Sequence, residues 1–238
     1  MDQLVLCEVE DAAPLGVPSM SPFCVKVHLA LALAGLPYER RHGAHPGVFA
    51  SLNPARQVPI LLEGGRPIPD STAILQRILA LAPGRIAVSP EAWLWEELAD
   101  TAVNGFLVAS RWADDDNWPR LSALFFGKMP IPVRWVLPRV LRRRVVGALV
   151  ARDVWRSGGA ACWDRFDRLL DQLEGRAPAT GFWCGDAPSV ADIGLYGQLR
   201  SFGTAVTPRQ AAMVAARPAL TAWIGRVGAA AGGLALAA

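Results

Sequence analysis

The sequence predicts a small mixed α/β unit over residues 1–82 and an all-helical unit over residues 91–238. Three observations carry the prediction. Strand and helix signals alternate up to residue 82. Residues 83–90, Pro-Gly-Arg-Ile-Ala-Val-Ser-Pro, are bracketed by the residue types that punctuate linkers. From Glu91 onward helical periodicity continues without a convincing strand.

Each element has a local reason. Leu4–Val9 is a strand-like run, and a Pro/Gly loop leads from it to Ser21-Pro22-Phe23-Cys24 and an apolar helix from Val25 to Ala34. Ser21 reads as the N-cap and Pro22 as the first helical position, where a missing N–H costs nothing. Gly35, followed by Leu36-Pro37, ends the helix. Only Lys26 and His28 interrupt its apolar surface, so both of its sides must be covered and a second body must pack on it. Tyr38–Arg41 can pair as a strand. A polar loop with His42, His45 and Asn53-Pro54 precedes Val58–Leu62, an apolar run of strand length. Glu63–Arg66 makes a hairpin-type turn, and Pro67–Pro69 resumes extended chain. Pro59 cannot donate to a ladder, so it belongs on an edge or in a backbone feature such as a cis Val58–Pro59 bond; base rates alone favour trans. Ser71 opens a helix with Ile74, Leu75, Ile78 and Leu79 on one face. The order β-α-β-loop-β-β-α gives a small mixed sheet with helices on both sides. Beyond the linker, helical patterns start at Trp93, pass a Pro-broken stretch over 119–138, and resume over 139–156, 160–174, 189–202 and 218–228.

Composition excludes several function classes. The chain is 52% hydrophobic and 19% charged, with a net charge of only +3, so no nucleic-acid partner is implied. Lys26 and Lys128 are the only lysines, which reads as codon bias before recognition. Cys7, Cys24, Cys162 and Cys184 show neither a disulfide framework nor zinc-ligand spacing, and a reducing cytoplasm fits them best. No secretory leader is expected at the Met-Asp start, and the apolar stretches around 29–37 and 227–238 are too short to span a bilayer.

Ser21 and Cys24 put a hydroxyl and a thiol on the first turn of a helix, where unpaired amides and the macrodipole favour an anion. On local pattern alone a second reading stays open, in which Ser-Pro simply starts the helix and Cys24 is core. Wider context bears on the choice. Ser21-Pro22-Phe23-Cys24-x-Lys26-Val27, Leu33-Ala34-Gly35-Leu36-Pro37-Tyr38-Glu39, Asn53-Pro54-x-x-Gln57-Val58-Pro59 and Asp70-Ser71 stand in the order and spacing of the cytosolic glutathione transferase superfamily, which this chain resembles over its whole length. The long loop before Ser21 most resembles the failed-axon-connections and metaxin-like branch, with a serine- or cysteine-type motif.

The resemblance implies a thioredoxin-like N-terminal domain, an all-helical C-terminal domain, and glutathione bound between them as co-substrate. It implies that Val58-Pro59, with a cis bond, pairs with the cysteinyl backbone of glutathione, and that Phe23 and Gln57 belong to the same binding surface. Ser71 and the helix amides would hold the γ-glutamyl carboxylate while Asp70 answers the α-amino group. Ser21 would donate to the glutathione sulfur and favour the thiolate. Cys24 is the other carried-over thiol-site position, either reactive or buried and structural; without a second cysteine at 21, dithiol reductase chemistry is not expected. The implied activity is conjugation to a small apolar electrophile by a cytoplasmic homodimer. The alternatives are a glutathione-dependent isomerase or dehalogenase, and a non-catalytic binding or membrane-associated module.

Other signals are assigned to structure. Ser189-x-x-Asp192 is a capping box. The arginine-rich stretch from Arg134 to Arg156 could lie on an anionic membrane, but Pro130, Pro132 and Pro138 should break any long amphipathic helix, which favours a solvated face. Asp114-Asp115-Asp116 reads as a loop, the three histidines as structural, and no metal is expected. Trp93, Trp95, Phe106, Trp112, Phe125 and Phe126 read as core or as the lining of an apolar pocket.

Overall fold

Residues 2–9 and 15–232 are described by the computed structural model. Alternation along β1 (Leu4–Val9) turns Leu4, Leu6 and Glu8 to one face and Val5, Cys7 and Val9 to the other. β2 (Glu39–Gly43) runs parallel to β1; β3 (Ile60–Glu63) and β4 (Arg66–Pro69) add antiparallel, giving the order β2-β1-β3-β4. α1 (Pro22–Ala34) and α2 (Ser71–Leu81) pack together on the Leu4/Leu6 side. The opposite face, with Cys7, Ile60 and Leu62, is closed by a 3-10 turn, Pro46–Phe49, and by Leu52 and Val58 rather than by a full helix. The expectation of helices on both sides is corrected there: Pro46 and Gly47 limit the covering segment to one short turn.

α1 begins and ends as its sequence dictates. Ser21 caps it, Pro22 is its first residue, and Gly35 closes it in the left-handed region with φ +66°, its N–H bonding to Leu31 and Ala32 carbonyls. Val25, Val27, Leu29 and Leu31 are all fully buried, as an all-round apolar helix requires.

The covering body is helical: α3 (Pro90–Leu98), a π-helical turn (Ala99–Val103), α4 (Asn104–Trp112), α5 (Trp118–Phe126), α6 (Ile131–Ala151), α7 (Gly158–Arg176), α8 (Val190–Arg200), α9 (Pro208–Ala215) and α10 (Pro218–Ala230). α8 is the central one, packed against α1 and α3. It approaches α1 closely at Gly197, where a Cβ would stand 3.0 Å from the Pro22 carbonyl oxygen and 3.1 Å from Lys26 Cβ. The Ser189–Asp192 capping box starts α8, and Asp192 Oδ1 also accepts from the Trp183 amide and the Trp223 indole, each at 2.8 Å.

Two further expectations are corrected. α6 runs unbroken for 21 residues through Pro138, which lies on its buried face; Pro132 sits in its first turn, where proline is tolerated. α9 was not anticipated from the sequence. The end of the apolar tail, 233–238, and residues 10–14 of the loop before Ser21 lie outside the described residues.

Candidate functional site

The strand register brings the distant motifs to one end of the sheet. Cys7 near the end of β1 pairs with Ile60 at the start of β3, and Ile60 pairs with Pro69 at the end of β4. Pro59, which precedes β3, and Asp70, which follows β4, therefore leave the sheet at the end where β1 hands over to the loop before Ser21. The Lys26 ammonium donates to Thr72 Oγ1 at 3.1 Å, which fixes the first turns of α1 and α2 side by side.

At the start of α1, Ser21 has extended backbone and its Oγ accepts from the Cys24 amide at 3.4 Å. The preceding loop is held by arginines from three directions: Arg200 donates to the Gly16 carbonyl, Arg40 to Pro18 at 2.7 Å, and Arg111 to Met20 at 2.6 Å. Arg111 also donates to the Ser201 carbonyl at 2.9 Å, and its complete burial pulls its pKa down to about 10. Three buried or half-buried guanidiniums on alternate carbonyls leave Ser21 little freedom to move.

Val58–Pro59 is cis. Neither the N–H nor the C=O of Val58 bonds to another described residue, so both are open to an extended ligand. The loop in front is stapled by Asn53, whose amide donates to the Gln57 carbonyl at 3.1 Å and whose Oδ1 accepts from Ala55 N–H at 3.1 Å. Asp70 caps α2 from a backbone φ of +77°, rare for a residue other than glycine and common at functional positions. Its Oδ1 takes the amides of Thr72 and Ala73, both at 3.0 Å. Oδ2 is left without a partner among the described residues, as are the N–H and Oγ of Ser71.

The other carried-over residues fall in different places. Phe23 is half-buried on the first turn of α1, and the Gln57 side chain is exposed and bonds to nothing described. Cys24 is fully buried behind Ser21. Burial pushes its thiol up to about 12, and the nearby Glu8 adds to this, against the hydrogen bonds of Ser21 and Ser19 and the pull of Arg40. Such a thiol is protonated and out of reach, the opposite of a reactive thiolate.

Two buried charge clusters escaped the sequence reading. Lys26, fully buried, pairs with Glu96 and, at 2.6 Å, with Asp100; Thr72 Oγ1 donates to Glu96 at 2.8 Å, and Gln198 donates to Asp100 at 3.3 Å. Burial raises the Asp100 carboxyl above the ordinary range although Lys26 pulls it down. Asp100 sits in the π-helical turn, a form frequent at functional sites. The second cluster centres on Glu8, which accepts from Arg40 at 2.7 Å and faces His28 at 3.0 Å and His42 at 3.5 Å, while His28 Nδ1 meets the Tyr38 hydroxyl at 2.5 Å. Burial pushes the Glu8 carboxyl up, but His28 and Arg40 outweigh it and its pKa lies below the usual range. A signal existed for Glu8: it shares the parity of the inward Leu4 and Leu6.

Among the described residues no group of His, Cys, Asp or Glu could hold a metal ion. The three consecutive aspartates form a turn, with Asp114 accepting from Gln210 at 3.1 Å and Asp115 paired to Arg142 at 2.6 Å. Phe106 and Phe126 are core and Trp93, Trp95 and Trp112 half-buried against it, whereas Phe125 is exposed.

The chain is similar to known proteins over most of its length. Residues 19–85 match the family model of the glutathione S-transferase N-terminal domain, and residues 148–226 match that of the C-terminal domain. A protein of Oryza sativa subsp. japonica named probable glutathione S-transferase GSTU6 is 30% identical over 220 residues, covering 88% of this chain and 80% of its own length. A glutathione transferase family member from Pseudomonas fluorescens pf-5, solved with two glutathione bound, superposes with TM-score 0.62 at 18% identity over 98% of this chain and 92% of that one. Apo glutathione S-transferase III gives 0.61 at 19% identity over 99% and 96%.

Proposed function

The chain belongs to the glutathione S-transferase family, and from that premise we propose that it binds glutathione across the end of its sheet and transfers it to a small apolar electrophile. The observation that carries this reading is the convergence of groups at one sheet end: the unpaired Val58 N–H and C=O, Asp70 Oδ2 and Ser71 N–H, together with the Ser21 hydroxyl at the start of α1. Val58 would pair with the cysteinyl backbone as a strand pairs with its neighbour. Because Asp70 Oδ1 already occupies the Thr72 and Ala73 amides, the γ-glutamyl carboxylate falls to Ser71, and Oδ2 takes the α-amino group. Ser21 would donate its O–H to the sulfur. With the amino end of α1 beside it, that bond favours the thiolate, which attacks the electrophile. Cys24 stays structural behind Ser21. Phe23 and Gln57 flank the ligand without a polar bond of their own.

The domain boundary is placed at residues 83–90, and the protein is read as a cytoplasmic homodimer. Four unpaired cysteines suit a reducing compartment. Within the family the long loop before Ser21 favours the failed-axon-connections and metaxin-like branch.

The test uses two substitutions. Asp70→Asn keeps the cap of α2 but loses the charge, so the melting temperature without ligand should hold while glutathione binding weakens roughly 10- to 100-fold. Ser21→Ala should move the pKa of the bound thiol up by about one to two units, lowering turnover of a generic aryl halide about 10- to 100-fold near neutral pH. No thermal shift with millimolar glutathione would remove the binding site, and turnover unchanged in Ser21→Ala would remove Ser21 from the chemistry.

A further inference from the structure

Two shallow, open clefts lie along α6, away from the sheet end. One, about 410 Å³, is lined entirely by apolar residues: Pro132, Val133, Val136, Leu137 and Val140. Val133, Val136 and Val140 recur at i, i+3 and i+7, one stripe of the helix, and that stripe faces solvent: Val136 is 63% and Val140 57% exposed. Ile131 and Trp135, 64% and 62% exposed, stand seven and three residues before the buried Pro138 and so lie on the other side of the helix from the stripe. Single exposed apolar residues need no explanation, but a stripe of three beside an apolar cleft does.

The charge around the stripe is one-sided. Between Asn117 and Arg152 stand eight of the chain's 24 Lys and Arg and none of its 21 Asp and Glu. Arg139 and Arg143 border the valine stripe on one side and Arg144 on the other by helical spacing; Arg143 and Arg144 make no ion pair or hydrogen bond with a described residue. The second cleft, about 500 Å³, adjoins them: Arg139, Arg142 and Arg143 stand there with Trp118 and Trp155, and the one acidic residue lining it, Asp115, is already paired to Arg142. Residues 86–147, which include most of α6, fall between the two segments that match the family models, so this surface belongs to the part of the chain least shared with them.

We propose that α6 is a docking surface for an anionic lipid bilayer, on which the helix lies in the interfacial plane. The valine stripe enters the headgroup boundary, and the flanking arginines meet lipid phosphates. Charge complementarity selects this occupant over a second copy of the chain, because two α6 faces would bring their arginines together without an acidic residue between Asn117 and Arg152 to meet them. Surface seating is the mode available to α6, since no helix of the described residues is long and apolar enough to cross a membrane. The surface is separate from the sheet end, and the proposal stands whether or not glutathione binds there.

Co-sedimentation of the full chain with phosphatidylglycerol-containing vesicles, and with pure phosphatidylcholine vesicles, tests it. Binding to the first and not the second is expected, falling as salt rises from about 0.1 to about 1 M and the screening length shrinks from about 10 to 3 Å. Arg143→Glu with Arg144→Glu should weaken partitioning about 30-fold or more. Val136→Asp with Val140→Asp should abolish it without changing the thermal melt, because these side chains are exposed. Equal binding to both vesicle types, no binding by the wild-type chain, or binding that survives both double variants overturns the proposal. A dimer that Val136→Asp splits, with no vesicle binding, would assign the face to a second copy instead and equally overturn it.

Discussion

Lys26 is an ammonium with no access to water, held by two carboxylates and a hydroxyl. Taking three charges into the interior is costly, and removing the central one is worse than keeping it, because two carboxylates would then face each other undersolvated. Lys26→Met should therefore cost about 3–5 kcal/mol in urea unfolding, and the triple replacement with Glu96→Gln and Asp100→Asn should recover much of the loss. Asp100→Asn alone should be nearly neutral, because the site already disfavours that charge. The sign follows from its raised pKa. The folded state holds the Asp100 proton more tightly than the unfolded state, so this group makes stability fall as pH climbs from its unfolded to its folded pKa. Asp100→Asn should erase that slope, and a slope unchanged in the variant would show that other carboxyls cause it. Little of this could be read in the chain, because Lys26 and Glu96 are 70 residues apart and Arg111 and Met20 are 91 apart. Local pattern says that a lysine interrupts an apolar helix; only the fold says what answers it.

At the level of elements, strand and helix positions were legible where the pattern is local. β1, the Ser21 cap, Gly35, the hairpin at Gly64-Gly65 and the Ser189–Asp192 box all fall where turn and capping chemistry put them. α6 was not legible, because Pro138 reads as a breaker yet sits on the buried face of a helix long enough to bear one missing bond. The motifs at Ser21, Val58 and Asp70 could be named from resemblance, but the arginines that hold the loop before Ser21 come from β2, α4 and α8 and leave no local mark. β1 carries a pH dependence of its own through Glu8. Its carboxyl pKa is depressed, so its contribution is complete above the unfolded value of about 4.3 and is lost as pH falls through the folded value. Glu8→Gln should cost about 3 kcal/mol at neutral pH and flatten the acid limb of the stability curve below about pH 4.5. An acid limb identical to the wild type would mean that this cluster does not control acid unfolding.

For the whole molecule, α1 is the element both halves share. Its far side is covered by α8, and the Lys26 cluster joins α1 and α2 to α3, the π-helical turn and α8. Two halves sharing a core in this way should melt as one, so near-ultraviolet and far-ultraviolet transitions are expected to coincide. A fragment of residues 1–82 would leave Val25, Leu29 and Lys26 uncovered and should bind a hydrophobic dye while lacking a cooperative transition. A sharp melt of that fragment would show that the small half is self-sufficient.

The contact at Gly197 has a wider meaning. Through that residue α8 rests directly on the Pro22 carbonyl, one peptide away from the Ser21 hydroxyl, so tightly that a methyl group would push the α1 backbone back by a few tenths of an ångström. A larger residue at position 197 should therefore disturb the start of α1, whereas changes elsewhere on the helical half leave that seat untouched. On the proposed function, selectivity for the electrophile and the acidity of the sulfur would rest on different parts of the helical half, the second of them on a seat that a single added carbon would disturb.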